Sequence, residues 1–105
     1  MYDAAEHRMK VYQTATSGGR HKGTYNDALK KSNAQLWKSF QSHMRQVEMH
    51  QDKISHPEQY APDWDNWDAV RRMGLIRVWR KHLRDNYDKA LIEQSVLEER
   101  FNESA

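Results

Sequence analysis

The stretch "DWDNWDAVRRMGLIRVWRKHLR", residues 63 to 84, decides how this chain folds. It holds three of the four tryptophans, and after Asp68 it holds six Lys/Arg with no acid among them. Asp63, directly after Pro62, is placed to cap a helix, and Asp65 falls in the first turn, where the helix dipole favours an anion. From there apolar side chains recur at helical spacing: Trp67, Val70, Gly74 or Leu75, Val78, Trp79, Leu83, Tyr87, Ala90, Leu91, Leu97 and Phe101. The pattern predicts a helix over 64–101. It bends near Gly74 unless the ~1 kcal/mol that glycine costs a helix interior is offset.

Only four Gly and two Pro punctuate the 105 residues, and all but Gly74 cluster in "TSGGRHKGT" (16–24) and "SHPEQYAPD" (55–63). A second helix is expected over 25–54, with Tyr25, Leu29, Leu36, Phe40, Met44, Val47 and Ile54 on one narrow stripe and Trp37 beside it. Thirty residues at 1.5 Å each give roughly 45 Å, long for a chain of this size. A first helix is expected over 3–16, with Asp3 as its cap; alone it is marginal in water. Nothing alternates with period two for long enough to be a strand. The fold class is therefore all-α and elongated, one unit over 1–105 with loops at 17–24 and 55–63.

The apolar inventory is thin. Six Leu, three Ile, five Val and two Phe make about 15% of the chain, below the roughly 20% at which a core becomes hard to build. Disorder is nonetheless disfavoured, because the net charge is only +2 and four Trp with five Tyr supply large apolar surfaces. The expectation is an ordered rod that is not a self-sufficient globule and buries part of its indole against neighbours.

Charge is blocked along the second half. Residues 55–68 carry four acids and no Lys/Arg, 69–84 carry six bases and no acid, and 85–105 carry six acids against Lys89 and Arg100. A solvated helix interleaves its signs. Segregation implies that different lengths of one rod meet different surroundings.

The catalytic and ligand motifs fail on their own chemistry. Gly18 and Gly23 have the gap of a phosphate loop before Thr24, but the lysine is missing and no strand precedes them. Asp63, Asp65 and Asp68 open like a calcium loop, yet the fifth and sixth places hold Trp67 and Asp68 instead of an oxygen ligand and a glycine. His43 and His50 share a helical face but lie roughly 10 Å apart along it, too far for one zinc. The chain has no cysteine, hence no thiolate chemistry. No catalytic, cofactor or metal residue is assigned, and no enzymatic activity is expected. No stretch approaches the ~20 apolar residues of a membrane span, and the N-terminal residues are neither a secretory signal nor a typical transit peptide.

The 63–84 segment is rich in the residue types that dominate the buried centres of protein interfaces. Trp37, Trp64, Trp67 and Trp79 are the expected anchors, with Arg77, Arg80, Lys81 and Arg84 sharing a helix face toward an acidic partner surface. Lipid headgroup contact is a lesser possibility. Nucleic acid is disfavoured by ten acids in the same half-chain; the alternative is a ribosome-associated protein holding rRNA phosphates with 71–84.

Two stretches resemble peripheral-stalk subunits of the mitochondrial F-type ATP synthase. "MKVYQTATSGGRHKGTYNDALKKSNAQLWKSF" (9–40) is similar to the small coupling-factor subunit, in which a basic helix ending in Tyr and Thr/Ser runs into Ser-Gly-Gly. "DWDNWDAVRRMGLI" (63–76) resembles the Asp-Trp-aromatic helix with a Gly-Leu-aliphatic end of subunit d. The resemblance implies a non-catalytic stator or accessory subunit, in a respiratory or ATP synthase complex, on the matrix side of the inner membrane. It assigns no functional residues.

Overall fold

Asp3 begins the fold as expected. Its carboxylate accepts from the backbone N–H groups of Ala5 and Glu6 and starts α1, Ala4–Thr16. The computed structural model of the chain describes residues 2–104, and no strand is present among them. After α1 the chain turns through Gly18, at φ 86°, and His21, at φ 67°, both in the left-handed region. The helix resumes at once as α2, Lys22–Lys30, so the break is shorter than the expected 17–24 loop.

The single helix expected over 25–54 is two. Lys31 is extended and Ser32 caps a new helix, α3, Asn33–Ser55. Ser32 accepts from the Gln35 N–H while the Gln35 side chain accepts from the Ser32 N–H, a reciprocal capping box. The carbonyls left over at the end of α2 are met from a distance: Arg100 donates to the Ala28 and Lys31 oxygens and to Asn33 Oδ1. A cation there also complements the helix dipole. Leu29, which the stripe placed inside, is half exposed; Ala28 takes the core position.

The third helix starts later than expected. Trp64–Asn66 is a single 3₁₀ turn following another at Pro57–Gln59. The long helix α4 is Ala69–Ser104, and its cap is Asp68, whose carboxylate accepts from Arg71 N–H at 2.8 Å, rather than Asp63. Gly74 does not break it.

α3 and α4 form an antiparallel hairpin. Asn33 meets Arg100, His43 meets Glu93, the His50 and His82 rings stand edge to face at 5.4 Å, and Tyr60 reaches Trp79. α1 lies across the outer side of α4, where Arg8 pairs with Glu98 at 2.7 Å and the Tyr12 hydroxyl donates to Glu99. α2 fills the remaining side, closing a core of Ala28, Leu36, Val96 and Leu97 with Tyr12 and Tyr25 against it.

The core sits at one end. From Asp88 to Leu97 every residue except Lys89 and Gln94 is buried, so α4 is enclosed on all sides there. From Ala69 to Arg84 only Trp79 is buried. The body measures 56 × 28 × 24 Å with a radius of gyration of 16.5 Å. A compact chain of this length has about 13 Å. The molecule is a helical bundle with a two-helix extension.

Candidate functional site

At 100° per residue, Val70, Met73, Arg77, Arg80, Lys81 and Arg84 fall within one ~100° arc of α4. All six are exposed, Val70 at 81% and Met73 at 62%. The same arc continues through Asp88, Leu91, Ser95, Glu98 and Glu99. In that downstream length Asp88 is buried and holds His7 at 3.0 Å, while Glu98 and Glu99 hold Arg8 and Tyr12. One face of α4 is thus covered by α1 over its C-terminal half and bare over its N-terminal half.

Sign follows coverage. The acidic length of α4 is met by His7, Arg8 and, from the turn after α1, Arg20, which pairs with Asp85. The basic length has no such complement: among the described residues no ion pair joins Arg77, Arg80, Lys81 or Arg84 to a carboxylate. The segregated charge blocks therefore correspond to one matched and one unmatched stretch of a single helix.

Arg71 and Arg72, of the same basic run, are committed internally. Arg71 stacks on Trp67 with its guanidinium 3.8 Å from the ring centroid. Arg72 lies over Trp64 and donates to the Trp64 and Asp65 carbonyls at 2.9 Å each. Those bonds fasten the 56–68 connection onto the start of α4. Trp64 and Trp67 are half-buried in this clasp, their rings 5.8 Å apart. They brace the exposed face of α4 more than they belong to it.

Trp79 departs from the expected docking role. It is 7% exposed, on the face of α4 turned to α3, with Tyr60 edge-on at 6.4 Å. The chain shields this indole itself. Val78, placed on the inner stripe by periodicity, is instead 46% exposed on the flank. Trp37 lies at the far end, 52% exposed and stacked on Phe40 at 5.3 Å. It lines a groove with Gln94, Leu97 and Phe101, an aromatic patch of which the sequence stripe registered the members but not their meeting.

The histidines go to separate partners. His43 Nδ1 lies 2.5 Å from the carboxylate of Glu93, itself 1% exposed, while His50 Nδ1 donates to the Gln46 carbonyl. His21 is held below its ordinary pKa by burial and then by the Arg20 guanidinium. Tyr12 is pushed above the usual phenol range by burial and by the Glu99 carboxylate. No described helix is long and apolar enough to cross a membrane. Comparison of the chain with protein-family models, with curated proteins and with solved structures finds no match.

Proposed function

We propose that the chain is a non-catalytic accessory subunit that docks on and bridges neighbours in a large assembly. The observation that carries this reading is the half-covered face of α4: Asp88 and its neighbours lie under α1, and Val70 to Arg84 lie open. A helix face mixing Val70 and Met73 with four cations that form no ion pair among the described residues suits a protein interface, whose centre is apolar and whose rim is charged. The Trp37–Phe101 patch, roughly 35 Å from Arg77 by helix rise, offers a second contact. Two separated surfaces on a stiff hairpin are what a bridge requires.

The likeness of 9–40 and 63–76 to peripheral-stalk subunits favours a mitochondrial complex such as ATP synthase, on the matrix side of the inner membrane. The test is charge reversal at Arg77, Arg80, Lys81 and Arg84 together, with the tagged chain followed by native gel in its own cells. The expected result is loss of the large complex with an unchanged melting temperature for the purified chain. Assembly unaffected by the four substitutions would refute the reading.

A further inference from the structure

The geometry points to the occupant of the bare face: an acidic amphipathic helix of a partner protein, laid on α4 along the arc that α1 occupies further down. This inference rests on the docking reading above and adds the chemistry of the partner.

The template is α1 itself. Its enclosed side carries Arg8, Val11, Tyr12 and Ala15, residues at i, i+3, i+4 and i+7 that are buried or half-buried, and Arg8 and Tyr12 line a groove with Ser95, Glu98, Glu99 and Asn102 of α4. Val11, Tyr12 and Ala15 supply packing, while Met9 is exposed. Arg8 and the Tyr12 hydroxyl answer the acids of the α4 surface beneath them. Upstream on the same arc the α4 surface keeps apolar positions, at Val70, Met73 and the adjoining Ile76, but its charge is inverted to Arg77, Arg80, Lys81 and Arg84. The helix that complements this length has the same spacing of apolar residues as α1, with carboxylates in place of Arg8.

Arginine suits that partner, because its fork pairs bidentately with carboxylate and its stem covers apolar surface. A duplex or a phosphate would use the guanidinium groups but leave Val70 and Met73 without contact. Gly74, on the edge of the same arc, removes the side chain that would hold a second helix away; a Cβ built there meets nothing within 4 Å.

The test uses the full chain and four probes, read by fluorescence anisotropy at about 0.15 M salt. The first is a designed helical peptide of about 20 residues with leucine at i, i+3, i+4 and i+7 and glutamates flanking the stripe. The second has the same composition scrambled. The third is a short RNA duplex, and the fourth is a vesicle of phosphatidylcholine with phosphatidylserine. The expected result is binding of the first peptide at least tenfold tighter than of the scrambled one. That binding weakens at least tenfold in Arg77→Glu/Lys81→Glu and also in Gly74→Leu, which leaves all charges in place. Equal binding of both peptides, tighter binding of RNA or vesicles, or no binding to any probe would each overturn the inference. The docking reading is judged separately, by the native assembly experiment, which uses no probe.

Discussion

Lys81 and Asp88 stand seven residues apart on one face of α4, and they have opposite fates. Asp88 is buried beneath α1 with His7 3.0 Å from its carboxylate, while Lys81 is exposed and, among the described residues, forms no ion pair. The one long helix serves as core at its C-terminal end and as open surface at its N-terminal end. The stability of the chain and the association proposed for it are therefore separable by mutation.

Stability lies at the enclosed end. Leu36→Ala empties a position that is fully buried against Ala28, Val96 and Leu97, and is expected to cost about 3 kcal/mol. Met73→Ala, at 62% exposure, stays within about 0.5 kcal/mol of the parent. Chemical denaturation of the two variants measures both.

The Glu93 carboxylate lies in the core with His43 as its hydrogen-bond partner at 2.5 Å. His43→Ala leaves that buried oxygen without its partner and is expected to destabilise by about 2–4 kcal/mol. Glu93→Gln keeps an amide that bonds to the imidazole, so its cost is smaller. Reversal of that order in urea titrations would contradict the placement of the pair.

Gly74 is a mid-helix glycine with open space where its Cβ would be. Gly74→Ala is expected to stabilise the free chain by about 0.5–1 kcal/mol, through lower unfolded-state entropy and better helix propensity. Thermal melting checks this, and a lower melting temperature would show a contact at that site.

Acid weakens the fold through two depressed groups. His21 is lowered by burial and Arg20, so the folded state disfavours its proton; its contribution is present above the unfolded value near 6.5 and fades as pH falls. Asp52 is lowered chiefly by the Tyr60 hydroxyl that donates to it, and its contribution is present above about 4 and is lost below that. Melting temperature is expected to fall from pH 7 to pH 5, with the slope reduced in His21→Gln. A flat profile in that window would count against the His21 environment.

Local chemistry was legible where one residue decides the outcome. Asp3 announced its helix, and the arc of Arg77, Arg80, Lys81 and Arg84 follows from 100° arithmetic. The break at Lys31 carried a local signature in Ser32 and Gln35, but Leu29 and Leu36, seven apart, made the stripe look continuous across it. Asp63 and Asp68 are equivalent caps by residue type; Trp67, extended at ψ 144°, puts the start of α4 after it. Which tryptophan is buried was not legible at all. Trp79 is enclosed because a chain reversal brings α3 and Tyr60 onto it, a pairing set by tertiary structure. The charge blocks told that the rod meets two environments; only the fold shows that α1 supplies one of them.

On the function proposed, the Val70–Arg84 face is covered by a neighbouring protein in the assembled state. Amine labelling of Lys81, with exposed Lys22 as internal reference, tests it most directly in the free chain and in the chain isolated with its native neighbours. The account predicts that Lys81 reacts as readily as Lys22 when free and is strongly protected when assembled. Equal labelling of Lys81 in both states would contradict it.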